Sequence, residues 1–332
     1  MTNEVLKKAL KRLPSAITFE VADDTCTMYI EKAYANMQDD GNAFEGWALL
    51  IKSYFPNAKI VLDWKPISPI DSKGKNVAAY NRFLYRVGKF EKIFGEWFQV
   101  SEDKQNIVAD FGERIRTNHI NNLSASDSGY NPGHGAEHII EKDFSWEKMN
   151  QKFFLEKLNA QAAPIKLKCV FDQLPNGLFE GSVKETNRIF PTGYFDLWGI
   201  DDKDNLCIFE LKELQGNRKV GIVSELFFYA WFAYEYCGAN INSEKKENLP
   251  RGYDKLVERS KILQNGENPI KAYFLVKQFR AGLDDKIDDV LKLLNSALKN
   301  QGVAITFGVV RYDESWLSDK AKEDIAQRKP KK

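Results

Sequence analysis

The sequence predicts an α/β protein: a mixed β-sheet core flanked by helices, preceded by a helix-rich α+β region. Two observations carry this reading. After residue 165, strand-like runs at 166–171, 194–200, 206–213, 272–279 and 303–312 are interspersed with helical patterns at 219–237, 253–263 and 283–299. Such alternation builds crossovers and a partly parallel sheet with helices on both faces. The helix at 219–237 is apolar nearly all round (Val220, Val223, Leu226, Phe227, Ala230, Trp231, Tyr234), which places it between layers.

The elements follow in order. A basic helix over 3–13, with Leu6, Leu10 and Leu13 on one side, stops at Pro14. Residues 16–21 read as a strand and 25–37 as a helix. Asp39-Asp40-Gly41-Asn42 caps a stronger helix at 43–55, where Phe44, Trp47, Leu50 and Ile51 share a side. A strand at 59–64 and a Pro/Ser/Lys loop at 66–75 lead to a long helix at 78–98 and a second at 103–117. Seven basic residues against two acidic ones between Lys65 and Lys92, with aromatics interleaved, fit either a phosphate-tracking surface or a solvated helix face.

Residues 121–143 are the least regular stretch and read as a linker or mobile loop between a region 1–120 and a domain 144–327. His134-Gly135-Ala136-Glu137-His138 spells H-x-x-E-H, an inverted zinc-protease pattern. That chemistry needs both imidazoles on one helical face, and Pro132, Gly133 and Gly135 oppose such a helix, so a loop or substrate-contacting histidine is the preferred reading. A helix at 144–160 puts Trp146, Met149, Phe153 and Glu156 on one stripe. A wide connection at 176–191 carries Glu180, Glu185 and Arg188, and the residues from 328 to 332 form a basic tail.

The chemistry concentrates in the hairpin over 194–213. Its turn is Asp201-Asp202-Lys203-Asp204-Asn205. If the turn is centred on Lys203, Asp196 faces Glu210, Trp198 faces Ile208 and Tyr194 faces Lys212. Asp196, Glu210 and Lys212 then share one side, while Phe209 and Leu211 point to the other. Opposed residues sit about 5 Å apart at Cβ, where like charges destabilise. Two carboxylates there call for a divalent cation, and hard oxygen ligands suit Mg²⁺ or Mn²⁺. Lys212 beside them could position an attacking water or stabilise charge on a phosphate. The competing reading is a solvated hairpin with an ordinary cross-strand ion pair.

Asp196, then Glu210-Leu211-Lys212 on the next strand, then a helix, resembles the PD-(D/E)XK nuclease superfamily, over residues 145–312. That superfamily includes restriction endonucleases, recombination exonucleases and repair nucleases. The resemblance implies a restriction-endonuclease-like core, with Asp196, Glu210 and the Leu211 carbonyl as metal ligands and Lys212 as the catalytic lysine. Phe195 stands where the family name has proline. Many members carry a glutamine on the following helix with a tyrosine four residues later; here the pair is Glu225 and Tyr229. The family's first helix often sends a glutamate to the metal, and Glu156 is the candidate, with Glu147 as rival. The implied substrate is nucleic acid, DNA first, with Arg188, Arg218, Lys219 and Tyr229 as candidate contacts. The implied setting is bacterial defence, restriction or repair. An RNA-directed nuclease and a catalytically inactive nuclease-fold binding module are the alternatives. Region 1–120 is a candidate surface for a protein partner or a homodimer.

Composition bounds these readings. A chain of 332 residues that is 43% hydrophobic and 29% charged is globular rather than disordered or fibrous. Its net charge of +1 supplies no global basic field, so any nucleic-acid surface must be local. The four cysteines lack metal spacing, and Cys169 and Cys207, within apparent strands, read as buried thiols in a reducing compartment, the cytoplasm. Lys7, Lys8, Lys11 and Arg12 interrupt any apolar leader, and no run reaches 18 apolar residues, so a membrane is not among the expected partners.

Overall fold

The computed structural model describes all residues except 1, 12, 69, 71–73, 116–118, 122–134, 216–218, 239–240, 242–248, 264–266 and 329–332. Helix α1 (Asn3–Ala9) precedes a hairpin of β1 (Ile17–Ala22) and β2 (Thr25–Ile30), turned at Asp23 with φ 52°. Strand β2 corrects the helix expected over 25–37. Alternation puts Cys26, Met28 and Ile30 inward, and this period of two, with Thr, Tyr and Ile among its residues, prevails. Then come α2 (Phe44–Tyr54), β3 (Lys59–Trp64), α3 (Lys75–Phe94), β4 (Phe98–Val100), α4 (Glu102–Arg114) and β5 (His119–Asn121). The first four strands form a sheet in the order β1-β2-β3-β4, antiparallel at the hairpin and parallel thereafter. Helices α2 and α3 are locked by a buried bidentate pair, Arg86 Nε and Nη2 donating to Glu45 at 2.7 and 2.5 Å. Removing either partner would strand a buried charge.

The second half begins with α5 (Ala136–Ser145) and α6 (Gln151–Asn159), where the sequence predicts one helix over 144–160. The break comes at Trp146–Asn150, where the Asn150 amide reaches the Trp316 carbonyl and Asp143. Strands β6 (Leu167–Pro175), β7 (Leu178–Glu180), β8 (Arg188–Phe190), β9 (Tyr194–Asp201) and β10 (Leu206–Leu211) follow, then α7 (Gly221–Tyr236), α8 (Tyr253–Ile262) and β11 (Ile270–Val276). The described chain closes with α9 (Ala281–Asp284), α10 (Ile287–Asn300), β12 (Ile305–Arg311) and α11 (Asp319–Ala326). The central sheet has the order β12-β11-β10-β9-β6, parallel through β12-β11-β10 and antiparallel through β10-β9-β6. Strands β5, β7 and β8 make a small antiparallel sheet. The class is mixed α/β.

One apolar cluster lies under α5, α6 and α11, built on Phe144, Phe154, Phe209, Leu211 and Trp316. The opposite cluster runs from Leu6 to Phe307, so the N-terminal sheet and the central sheet share it. Helix α7 fills the space between them, packing on α2, β10 and β11. Its aromatics meet those of α3: Phe227 lies 5.5 Å from Phe90, and Phe228 6.0 Å from Tyr85, both edge-on. Gly221 opens the helix because a Cβ there would stand 2.0 Å from the Gln38 carbonyl. The segment read as a linker ends within α5, and its residues 122–134 lie outside the described residues. No helix among the described residues is long and apolar enough to cross a membrane.

Candidate active site

Strands β9 and β10 take the expected register: Leu206 pairs with Ile200, Ile208 with Trp198, and Phe209 with Leu197. Asp201 fixes it, its carboxylate accepting from the Lys203 and Asn205 amides at 2.9 Å and from the Lys271 ammonium at 2.7 Å. The ladder ends at Phe209–Leu197. Beyond it Asp196 turns to the partner strand, and its Oδ2 accepts the Leu211 N–H at 2.8 Å. Glu210 is 1% exposed and accepts from Lys212 Nζ at 2.5 Å.

Helices from both layers close on this end of the hairpin. From α7, Glu225 (2% exposed) brings Oε2 to 3.7 Å from Lys212 Nζ, while its Oε1 accepts from Tyr229 Oη at 3.1 Å and from the Gln38 amide. From α5, Glu137 stands 3.9 Å from Lys212. Glu141, one turn on, accepts from Gln173 Nε2 at 2.5 Å and lies 3.2 Å from His138 Nδ1. Four acids thus surround one lysine, with Glu141 acting on Asp196 behind them.

Their titration follows from that imbalance. Burial, then the charge of Glu141, holds the Asp196 carboxyl well above the usual carboxylate range, against Lys212 and with Glu225 and Glu137. Burial, then Asp196 and Glu225, does the same to Glu210. Burial works against the Lys212 cation, yet Glu210, Glu225, Glu137 and Asp196 together lift it well above the ordinary lysine value. Glu225 goes the other way: burial opposes its charge, but Lys212 and hydrogen bonds from Glu210, Gln38 and Tyr229 lower it. With both acids ionised, Glu210 Oε2 and Glu225 Oε2 would be buried without a donor. A proton kept by Glu210 and offered to Glu225 resolves this, as does a cation.

The structure brings Asp196, Glu210, Lys212, Glu225 and the backbone of Leu211 together. It does not bring Glu156: that residue lies on the exposed side of α6, 4.0 Å from Lys152 and 62% exposed. Glu147 is exposed in the turn after α5, and Glu180 and Glu185 are also exposed. The glutamates that the helix preceding the sheet, α5, brings to the site are Glu137 and Glu141. Tyr229 and Arg188 line a neighbouring cleft, whereas Lys219 reaches Asp39 at 2.7 Å on the surface. Arg218 lies outside the described residues, as does His134, so the H-x-x-E-H pattern is represented by His138 on α5 alone. The sequence does carry a signal for the missed glutamates. Glu137 and Glu141 are spaced i,i+4 beside the apolar pair Ile140 and Phe144.

Among the described residues no three His, Cys, Asp or Glu side chains gather in a way that could hold a metal ion by themselves. The expected donor set, Asp196 and Glu210 with the Leu211 carbonyl, includes only two such side chains. The donorless Glu210 Oε2 and the excess negative charge fit a hard divalent cation. Comparison with protein-family models, with curated proteins and with solved structures gives no match to this chain.

Proposed function

We propose that this protein is a metal-dependent nuclease that hydrolyses phosphodiester bonds, with DNA as its substrate, on a restriction-endonuclease-like core. The carrying observation is the convergence of Asp196, Glu210 and Lys212 at one end of the β9–β10 hairpin, closed by Glu225 from α7. The chain order α5–α6, then the central-sheet strands β6, β9 and β10, then α7, with the glutamates that α5 sends inward, agrees with the PD-(D/E)XK resemblance. A setting in defence, restriction or repair belongs to the same proposal and rests on analogy of fold.

Asp196 and Glu210 would hold Mg²⁺ or Mn²⁺ with the Leu211 carbonyl, the cation supplying Lewis acidity toward a phosphate oxygen and toward water. The chain's own residues do the rest. With the cation bound, Glu210 would be ionised, its proton released to solvent. Lys212 then turns its ammonium from Glu210 toward the phosphate or the attacking water, where it offsets developing negative charge. Glu225, held by Gln38 and Tyr229, keeps that ammonium in place. Glu137 and Glu141 keep the local potential negative, so that the site favours a cation.

The test is cleavage of plasmid DNA with Mg²⁺ or Mn²⁺, with structured RNA offered alongside. Lys212→Ala should lower the rate by about 10²–10⁴-fold. Cleavage that survives Lys212→Ala, or that proceeds equally in chelator, would sink the nuclease reading. One observation favours a non-catalytic binding module instead: Lys212 is engaged by Glu210, and no three-residue ligand set is present among the described residues. DNA binding without cleavage in any divalent ion would select that alternative.

A further inference from the structure

A cleft of about 560 Å³ lies beside the carboxylate cluster, between the segment Tyr34–Gln38, the first turns of α3, and the turn Pro191–Gly193. Glu225 is its shared wall with the cluster, one carboxylate oxygen facing Gln38 and Tyr229 and the other facing Lys212. The remaining charged lining is cationic: Lys75, Arg82 and Arg188. Arg188 is already engaged, by Glu185 at 2.6 Å and Thr192 at 2.6 Å.

Arg82 is the anomaly. It is 9% exposed, yet it makes no hydrogen bond or ion pair among the described residues. Its partner in the structure is the ring of Phe228, 5.6 Å beneath the guanidinium. Arg86, one turn further along α3, shows the ordinary alternative: buried, and paired to Glu45 through two nitrogens. Burial brings the Arg82 guanidinium down to about 10, which leaves it charged at neutral pH. None of its nitrogens is among the fully buried atoms that lack a partner, so these donors open on the cleft, where an anion would meet them. The planar fork of five N–H groups matches phosphate, and the cleft volume is that of a small-ligand site.

We propose that region 1–120 builds a phosphate-binding subsite for the substrate strand, with Arg82 as its anchor and Lys75 at its rim. This rests on the nuclease reading, and it assigns to the N-terminal region the task of seating the strand beside the carboxylate cluster. The phosphate is either internal to the strand or at its 5′ end.

The probe is a 3′-labelled single-stranded 8-mer with a 5′-phosphate or a 5′-hydroxyl, bound by the full chain in EDTA and followed by fluorescence anisotropy. Arg82→Met, which keeps the apolar contact with Phe228, should weaken binding about 10–100-fold and lower the salt slope by about 1. Arg82→Lys should restore part of the loss, and Lys299→Met, on the distant end of α10, should change nothing. Should Arg82→Met fail to fold by its melting curve, Lys75→Met at the rim reads the same cleft, with a loss of a few fold expected. Equal losses for both probes point to an internal phosphate; loss confined to the 5′-phosphorylated probe points to the strand end. Unchanged affinity in the folded Arg82 and Lys75 variants overturns the subsite, as does a wild-type chain that binds neither probe. Binding that depends on Arg82 without cleavage in Mg²⁺ or Mn²⁺ upholds the subsite and rejects the nuclease. Metal-dependent cleavage with KM untouched by Arg82→Met does the reverse.

Discussion

Asp196 and Glu210 carry their protons to higher pH in the folded chain than in the unfolded one, and the sign of that difference has two measurable effects. A raised carboxyl binds more protons in the native state, so the stability it permits is complete below the ordinary carboxylate range, about pH 4, and is lost as pH rises through the raised value. Metal-free protein should therefore lose stability as pH rises above the ordinary carboxylate range, and Asp196→Asn should flatten that profile. At pH 8 the variant should be more stable than wild type in urea unfolding. A variant less stable than wild type at pH 8 would contradict the charge account. Binding of Mg²⁺ should also release protons, seen as a buffer-dependent heat in calorimetry. Of this site, the hairpin residues were legible because strand alternation and a turn fix them locally. Gln38 and Arg82 were not, because nothing local links either to Glu225; chain folding alone brings them near.

The hairpin is held by Asp201 as much as by its ladder. That carboxylate gathers the turn amides and Lys271; although burial opposes its charge, these partners keep it below the usual range. Its contribution is present above about pH 4 and fades as pH falls. Asp201→Ala should cost about 2–4 kcal/mol in urea unfolding and reduce cleavage by loosening Asp196 against Leu211; a loss below about 0.5 kcal/mol would show that the ladder alone sets the register. Elements were readable where periodicity was strong, as in α2, α3, α7 and the central strands. Helix α5 was hidden: Gly135 caps it with no side-chain hydrogen bond, and it follows a Gly- and Ser-rich stretch. Strand β2 was misread because a short apolar run lets helical and strand periods compete.

At the scale of the whole molecule, the N-terminal sheet, α2 and α3 are one side of the box that encloses α7. The sequence reading divides the chain near 121–143, yet the apolar cluster crosses from Leu6 to Phe307. A fragment covering 136–332 should therefore aggregate on size-exclusion chromatography and become dispersed when 1–121 is co-expressed. A monodisperse, folded fragment would refute this. The uniformly apolar α7 has a further consequence for synthesis. Its 16 residues leave the ribosome after α2, α3 and β10 but before β11, so one side of their receptor is present when they appear and the other is added later. In this order of emergence the first part of the chain offers an apolar face to the helix that carries Glu225 before the central sheet is finished.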